Sequence, residues 1–240
     1  MRATGMLLDF PWREKLYHAE KGCKRCGGDG YTVAEDGARP CPDCMLQGRV
    51  RRILRVVGIP RLFEESTVAG YKAATALQKG ARTAIVDWVR SYQPGGPGLY
   101  LHGPVGTGKT HLACALLKGL AQRGVWCLYR SLPDLLHELR RSVREENESD
   151  LLDALADVPV LLLDDLGSER LTEYAAERLH QIVDDRYADR RTTLVTSNLS
   201  PAQLGRHVGQ RMASRLMEMT TPLRIDGRDH RAKGLREEQG

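Results

Sequence analysis

Short apolar runs alternate with longer amphipathic segments through most of the chain, from about residue 59 onward. Runs bounded by turn-forming residues predict β-strands, whereas apolar residues recurring at helical spacing predict α-helices. The predicted strands are Leu99–His102, Val125–Tyr129, Val160–Asp164, Thr193–Thr196 and Leu223–Ile225. The predicted helices are Thr75–Tyr92, Lys109–Gln122, Leu132–Val143 and Glu173–Tyr187.

This alternation of helix and strand predicts an α/β fold, because crossover helices cover both faces of a parallel sheet. We therefore expect a parallel five-stranded sheet between helices. A Pro- and Gly-rich turn at residues 93–98 delivers the chain into the first strand. The polar stretch Arg144–Asp150 is predicted to be a solvent-exposed loop, and Leu235–Gly240 a frayed tail.

The segment from Gly103 to Thr110 fits the phosphate-binding pattern G-x-x-x-x-G-K-[ST] without a mismatch. An apolar strand leads into it and a helix begins near Lys109, which is the context that this loop requires. Backbone N–H groups would surround a β-phosphate, Lys109 would reach the β- and γ-phosphates, and Thr110 would bind Mg²⁺. The residues expected to contact ATP are Gly103, Pro104, Val105, Gly106, Thr107, Gly108, Lys109, Thr110 and His111.

A second acidic motif lies where the apolar strand 160–163 ends in Asp164 and Asp165. In proteins with this phosphate loop, the first acid holds Mg²⁺ and the neighbouring acid can orient the attacking water. We therefore assign Asp164 to the metal and Asp165 to catalysis. A solvated acidic turn capping a buried strand is the alternative that this motif alone leaves open. Asp165 is shorter than the glutamate that many ATPases carry here, which predicts slow or partner-dependent hydrolysis.

Four of the six cysteines form two closely spaced pairs, Cys23-x-x-Cys26 and Cys41-x-x-Cys44. In a chain for which we expect no export signal, this spacing indicates a four-thiolate Zn²⁺ site. Disulfides or unliganded thiols are the alternative. Such a small module has too few apolar residues to fold alone, so bound metal would stabilise it.

Together these motifs resemble the DnaC/DnaI-type bacterial helicase loaders and the related IstB transposition ATPases, all AAA+ proteins. The resemblance covers roughly residues 58–233 and begins with Gly58-Ile-Pro-Arg-Leu-Phe63. It includes the phosphate loop, Asp164-Asp-Leu-Gly167, Thr196-Ser-Asn198 and the segment Gly209-Gln-Arg-Met-Ala-Ser-Arg-Leu216. It implies an AAA+ P-loop NTPase domain at 59–233. The cysteine spacing and the chain pattern add a zinc-binding, partner-interaction module at 1–58 and a flexible tail at 234–240.

The resemblance also implies roles for single polar residues. Asn198 would be the sensor-one residue that holds the attacking water, although an Asn before Leu-Ser-Pro also suits a turn. Arg215 would be an arginine finger for a neighbouring subunit's ATP, with Arg211 as the competing candidate. Arg231 would be the sensor-two arginine, with a charged exposed terminus as the alternative. The expected catalytic residues are Lys109, Asp165, Asn198, Arg215 and Arg231.

The resemblance implies partners as well. Loaders of the DnaI type carry a zinc module that contacts the replicative helicase, whereas IstB-type proteins generally lack one. The implied partners are a hexameric replicative helicase (DnaB/DnaC-type), single-stranded DNA, and further copies of this chain with ATP between subunits. The predicted helix Leu132–Val143 and the residue after it are the expected DNA contact. Arg140, Arg141 and Arg144 would bind the DNA phosphates, and the helix has no aromatic residue on which bases could stack.

A basic amphipathic segment, Arg49–Arg55, separates the cysteines from the predicted ATPase domain. It is a candidate contact for nucleic acid or for an acidic partner, and a solvated charged face is the alternative. Its apolar face is expected to pack against the zinc module or the partner. That face comprises Val50, Ile53, Leu54 and Val57.

Composition changes this picture little. The net charge of +5, from 36 basic and 31 acidic residues, is compatible with nucleic-acid contact without requiring it. No stretch of roughly 18 apolar residues occurs, so we expect no membrane span. Charges and Pro11 interrupt the N-terminal apolar residues, and we expect a cytoplasmic protein.

The expected function is ATP-dependent loading of the replicative helicase onto single-stranded DNA during replication. One alternative is an IstB-like or phage accessory ATPase that assists transposition or recombination. The other is a nucleotide-gated adaptor with little hydrolysis, which the pair Asp164-Asp165 allows.

Overall fold

The protein's structure, a computed structural model, describes residues 23–26, 31–34, 37–44, 50, 53–54, 56–227 and 229. Arg231, the tail at 234–240 and the arginines of the segment 49–55 lie outside these residues. Between the cysteine pairs, β1 (Tyr31–Ala34) and β2 (Gly37–Pro40) form a small antiparallel hairpin. No helix in the described part of the chain is long and apolar enough to cross a membrane.

A fully parallel sheet of five strands forms the centre of the remaining chain, which confirms the predicted fold class. Its strands are β3 (Gly98–His102), β4 (Cys127–Ser131), β5 (Val160–Asp164), β6 (Thr192–Ser197) and β7 (Thr220–Arg224). The strand order is β4-β5-β6-β3-β7, so β4 is an edge strand and β5 and β6 lie side by side. Because the strands are parallel, their carboxyl ends meet at one edge of the sheet.

The helices flank this sheet, and side-chain caps fix where several of them begin. Thr75 accepts a hydrogen bond from the backbone N–H of Gln78, and Gln78 accepts in return from Thr75 N–H, forming a capping box. Ser131 caps the helix after β4 by accepting from Asp134 N–H at 3.2 Å. The helices are α1 (Ala76–Ser91), α2 (Lys109–Gln122), α3 (Leu132–Arg144), α4 (Glu148–Asp157), α5 (Glu173–Ala188), α6 (Pro201–Val208) and α7 (Gln210–Met219).

Both faces of the sheet are buried, as alternate residues of β5 show. Leu161 and Leu163 pack in a cluster with apolar residues of α3 to α7, whereas Val160 and Leu162 pack with residues of α1 and α2. Every residue of β5 is buried. Near-continuous apolar strands are the expected pattern for a parallel sheet covered on both sides.

The predicted loop Arg144–Asp150 is wrong in its second half, because α4 already begins at Glu148. Only residues 145–147 separate α3 from α4. The acidic residues Glu148 and Asp150 occupy the first turn of α4. Their negative charges stabilise the helix there, because the N-terminus is the positive end of the helix dipole. The polarity that predicted a loop therefore belongs to a helix start, and buried leucines follow it.

Two strand predictions are displaced along the chain. The predicted strand Val125–Tyr129 lies at Cys127–Ser131, because Val125 instead closes the turn after α2 with a hydrogen bond to Leu120 O. The strand predicted at Leu223–Ile225 begins earlier, at Thr220, which pairs with Gly98 of β3. In both places an apolar residue just outside the strand, Val125 or Ile225, packs in the core.

The segment before residue 58 contacts the five-stranded sheet directly. Ile53 is fully buried in the cluster that packs with α3 to α7, and Val57 is buried in the cluster on the opposite face. The carbonyl of Val57 accepts a 2.7 Å hydrogen bond from Tyr129 N–H on the edge strand β4. The expectation that these side chains pack against the zinc module or a partner is therefore wrong, while the domain boundary at residue 58 stays a prediction.

A fully buried arginine, Arg186 of α5, joins the end of α4 to the start of β6. Its Nη1 donates to Leu155 O and Val158 O at 2.8 Å and to Ala156 O at 3.0 Å. Its remaining donors reach Thr192 O and Thr193 Oγ1 of β6. Burial lowers the pKa of Arg186 to about 9, so the side chain stays protonated at neutral pH. A cation at the carbonyl end of α4 also suits the helix dipole.

Replacing Arg186 with Met is expected to lower the free energy of unfolding by about 3 kcal/mol or more, because several buried carbonyls lose their donor. Chemical denaturation followed by circular dichroism measures the loss. Arg82→Met, at an exposed position of α1, is the matched control and should change stability little. Equal stability of the two variants would contradict a structural role for Arg186.

Candidate nucleotide and metal sites

The phosphate loop links β3 to α2, as predicted, and α2 begins at Lys109. Gly108 adopts a left-handed conformation with φ 88°, and a Cβ there would lie 2.6 Å from the ring of Tyr71. Only glycine therefore fits this position. The Tyr71 hydroxyl donates a 2.7 Å hydrogen bond to Thr107 O, so this side chain braces the loop from outside. The loop thus presents the N-terminus of α2, which favours an anion.

Lys109 connects the loop to the end of β6. Its ammonium donates to Gly103 O at 2.9 Å, to Pro104 O at 2.8 Å and to Asn198 Oδ1 at 2.8 Å. The structure thereby brings together two predicted site residues that are 89 positions apart in the sequence. Lys109 is only 5% exposed, so its charge is held at the base of the site.

Asp164, at the carboxyl end of β5, accepts hydrogen bonds from three hydroxyl groups. Thr110 Oγ1 lies 3.0 Å from Oδ1 and 3.2 Å from Oδ2. Tyr129 OH donates to Oδ2 at 2.8 Å, and Thr196 Oγ1 donates to Oδ1 at 2.5 Å. The pairing of Thr110 with Asp164 is the arrangement expected of two Mg²⁺ ligands. Sequence reasoning gave Tyr129 no role and named Thr196 only as the first residue of the segment Thr196-Ser-Asn198, because both residue types are ordinary in a buried strand.

Two opposing sets of effects act on the pKa of Asp164, and the net shift is upward. Burial raises the pKa of Asp164, and the neighbouring carboxylate of Asp165 raises it further. The hydrogen bonds from Thr196, Tyr129 and Thr110 lower it. A cation at Thr110 would favour the charged form as well, so the donor set fits Mg²⁺.

Asp165 stands in the left-handed region, with φ 57°. Its backbone N–H donates to Thr196 Oγ1 at 2.9 Å, so one threonine contacts both acidic residues. Asp165 is among the residues that line the cavity beside the phosphate loop, whereas Asp164 is 2% exposed. This division agrees with a metal-holding role for Asp164 and a water-contacting role for Asp165.

A cavity of about 570 Å³ opens beside the phosphate loop. One part of its lining is polar, with Lys109, Thr110, Asp165 and Asn198. The other part is apolar or aromatic and includes residues before α1 to which sequence reasoning gave no role in the site. These are Leu62, Phe63 and Tyr71. An apolar pocket with a few convergent polar groups is the usual form of a small-molecule site.

His111 ties the segment before α1 to the phosphate loop. Its Nε2 lies 3.0 Å from Thr67 O, and its Nδ1 lies 3.3 Å from Ser66 Oγ. Because a carbonyl can only accept, Nε2 carries the hydrogen in the contact with Thr67. The His111 ring also lies 5.9 Å from that of Tyr71. The predicted nucleotide contact at His111 is therefore a cavity-lining position with a bridging role.

The chain after β7 passes close to the phosphate loop. A Cβ at Gly106 would overlap the carboxylate of Asp229, so this carboxylate lies directly against the loop. Thr75 Oγ1 donates to Asp226 O at 3.0 Å and fixes the preceding turn. Arg231 itself lies outside the described residues, two positions further along.

The two candidate finger arginines lie on α7, away from the cavity lining within the described residues. Both contact Asp184 of α5, Arg215 through Nη1 and Arg211 through Nη2 at 3.1 Å. Arg215 also packs over the ring of Tyr187, 5.4 Å from its centroid. The Arg215 side chain is 25% exposed and that of Arg211 is 67% exposed. The structure does not bring either arginine to the chain's own phosphate loop.

The four paired cysteines come together into one cluster, as their spacing predicts. Their sulfur atoms all lie within 4.8 Å of one another, with Cys23 and Cys41 at 3.8 Å and Cys26 and Cys44 at 3.3 Å. Four thiolates around Zn²⁺, each about 2.3 Å from the metal, would have sulfurs roughly 3.8 Å apart. The residues present therefore fit a tetrahedral zinc ion.

The sheet order, the phosphate loop and the acidic strand end define an ATP-binding P-loop protein of the AAA+ class. The chain belongs to the IstB-like ATP binding protein family, whose sequence profile matches residues 47–236.

Several named proteins are similar to this chain. The replicative helicase loader DnaI of Bacillus subtilis is 28% identical over 162 residues, which cover 61% of this chain and 52% of DnaI. An ATP-binding protein of insertion sequence IS1162 from Pseudomonas fluorescens is 40% identical over 125 residues, or 52% of each chain. The match therefore spans about half the length of these curated relatives. A solved DnaC helicase loader structure has a TM-score of 0.66 and 31% identity, covering 69% of this chain and 99% of that one.

We expect the purified chain to contain about one zinc ion per molecule, because the clustered thiolates match a four-sulfur site. Cys41→Ser should remove most of this metal, as measured by inductively coupled plasma mass spectrometry. Cys114→Ala is the control, because burial raises the pKa of the Cys114 thiol and keeps it protonated. Zinc retained in Cys41→Ser, or absent from the unaltered chain, would contradict the assignment.

Proposed function

We propose that this protein is an ATP-dependent loader of a replicative DNA helicase, acting on single-stranded DNA as an oligomeric ATPase. The likeness to DnaI and to the solved DnaC structure supports the loading function. The convergence of Lys109, Thr110, Asp164 and Asn198 beside one cavity is the observation that carries the ATPase assignment.

The geometry supports a division of labour among the site residues. Thr110 and Asp164 would hold Mg²⁺, which when bound offsets the charge of the phosphate oxygens. When ATP binds, the Lys109 ammonium would donate to oxygens of the β- and γ-phosphates in place of the carbonyls of Gly103 and Pro104. Asn198 and Asp165, which both line the cavity, would orient the attacking water, and Asp165 would accept its proton.

The nucleotide base would occupy the apolar part of the cavity. Leu62 is 81% exposed at this cavity, and Phe63 and Tyr71 complete its apolar surface. Covering the exposed Leu62 and the partly exposed Phe63 with a flat aromatic base would remove apolar area from water. Since Tyr71 also braces the phosphate loop, base and phosphates would meet one continuous surface.

An oligomer would supply the remaining charge at the γ-phosphate. Arg215 lies away from its own phosphate loop, which suits an arginine that acts on a neighbouring subunit's ATP. Its packing on Tyr187 gives it a defined direction, whereas Arg211 is largely exposed. We therefore assign the finger role to Arg215. Arg231 is the proposed sensor-two residue, because Asp229 already lies against the phosphate loop.

Mixing two inactive variants tests this assignment. Lys109→Ala subunits should not bind ATP productively but supply Arg215, whereas Arg215→Ala subunits bind ATP and lack the finger. A mixture of equal amounts should regain activity at about a quarter of the interfaces if subunits mix at random. Phosphate release measures this recovery. The opposite result would reverse the assignment. In that case Arg211→Ala alone would be inactive and would regain activity when mixed with Lys109→Ala, whereas Arg215→Ala alone would stay active.

The cysteine module and the N-terminal part of the chain would contact the helicase, by analogy with the loaders. DNA contact would involve α3, where Arg140 and Arg144 are exposed. Arg141, the third predicted contact, forms a 2.6 Å ion pair with Glu145 and is less available. Such a basic helix face would bind phosphates without sequence preference and weaken with salt.

We expect the full chain to retain the replicative helicase of its own organism in a pull-down, and Cys23→Ser to lose this association. Cys114→Ala, a change in the core of the ATPase domain, should retain it. In a loading assay, the unaltered chain with ATP should increase the amount of helicase on single-stranded DNA. Absence of zinc-dependent association, with ATP turnover intact, would contradict the loading function but not the ATPase.

A second candidate is an accessory ATPase of transposition, favoured by the IS1162 protein at 40% identity. In that case DNA would stimulate ATP turnover and the helicase would have no effect on it. A chain that binds ATP but turns it over no faster than Asp165→Asn would instead be a nucleotide-gated adaptor.

A further inference from the structure

We infer that Tyr129 is a positioning residue for the metal-binding carboxylate of Asp164, and that Thr196 holds the same carboxylate from the opposite side. This inference rests on the nucleotide site of the proposed function. It concerns residues that neither the phosphate loop nor the acidic motif contains.

The sheet register places the Tyr129 side chain next to Asp164. Tyr129 of β4 pairs with Leu162 of β5, two residues before Asp164. Side chains two positions apart in a strand share a face, so Tyr129 and Asp164 point to the same side of the sheet. The tyrosine ring spans the offset along the strand, and its hydroxyl reaches Oδ2 at 2.8 Å.

Thr196 completes the arrangement from β6, on the other side of β5. Its hydroxyl donates to Asp164 Oδ1 at 2.5 Å, while Tyr129 donates to Oδ2. Each carboxylate oxygen is thus held by a different strand, which prevents rotation of the group. The oxygens then face Thr110 of α2 in a fixed orientation.

Rotational restraint matters for a carboxylate that binds a metal through an oxygen or a bound water. Magnesium requires near-ideal octahedral geometry and tolerates misplaced ligands poorly. Partners of a metal ligand that do not touch the metal commonly change metal affinity tenfold or more when removed. Tyr129 is 4% exposed and cannot reach bulk solvent, so no water replaces its hydroxyl readily.

The test measures binding of a fluorescent ATP analogue to the full chain as Mg²⁺ is raised, and separately in EDTA. Tyr129→Phe removes only the hydroxyl. It should raise the Mg²⁺ concentration for half-maximal enhancement of binding about tenfold and leave metal-free binding unchanged. Thr196→Val should act in the same direction. Tyr92→Phe is the control, since Tyr92 is 6% exposed but lies at the end of α1, before the turn into β3.

An unchanged Mg²⁺ requirement in both Tyr129→Phe and Thr196→Val would overturn the inference. An equal loss of metal-free binding in Tyr129→Phe would also overturn it, because that result indicates a packing role alone. If Tyr129→Phe does not fold, Thr196→Val decides by the same criteria. If Mg²⁺ does not change the binding of the ATP analogue to the wild-type chain, that result would instead contradict the nucleotide site of the proposed function, whatever the variants do.

Discussion

Burial of the Asp164 carboxylate constrains most of the site around it. An ionised carboxyl group inside a sheet is costly unless hydrogen bonds replace its water. Here the donors come from β4, β6 and α2, which are the elements that surround the end of β5. The strand order and the register must therefore be correct before this charge can be accommodated. The fold and the candidate metal site depend on the same set of hydrogen bonds.

The sheet buries a charge near each of its ends. Arg186 lies where β6 begins, and Asp164 lies where β5 finishes. In both cases the contacts include neutral groups with aligned dipoles, namely helix carbonyls for the cation and hydroxyls for the anion. The sheet thus accommodates one buried charge of each sign through neutral hydrogen-bonding partners.

Much of this architecture was predictable from the sequence, because its signals are local. Gly103–Thr110 and the acidic pair that begins at Asp164 carry their chemistry within a few residues. The helix at Glu148 was not predictable in this way, because its acidic first turn looks like solvent-exposed loop. The contacts of Tyr129 and Thr196 with Asp164 could not be predicted for another reason. A tyrosine or threonine in a strand is ordinary, and only the pairing of β4, β5 and β6 reveals what their hydroxyls contact.

The hydrogen bond between Val57 and β4 gives Tyr129 a second attachment. Its backbone N–H holds the carbonyl of Val57, at the end of the segment that follows the cysteine module, and its hydroxyl holds Asp164. A displacement of Val57 would therefore act on the edge strand at the residue whose hydroxyl contacts the Asp164 carboxylate. One residue, through its backbone N–H and its side-chain hydroxyl, thus connects the position of Val57 to the geometry of the candidate nucleotide site.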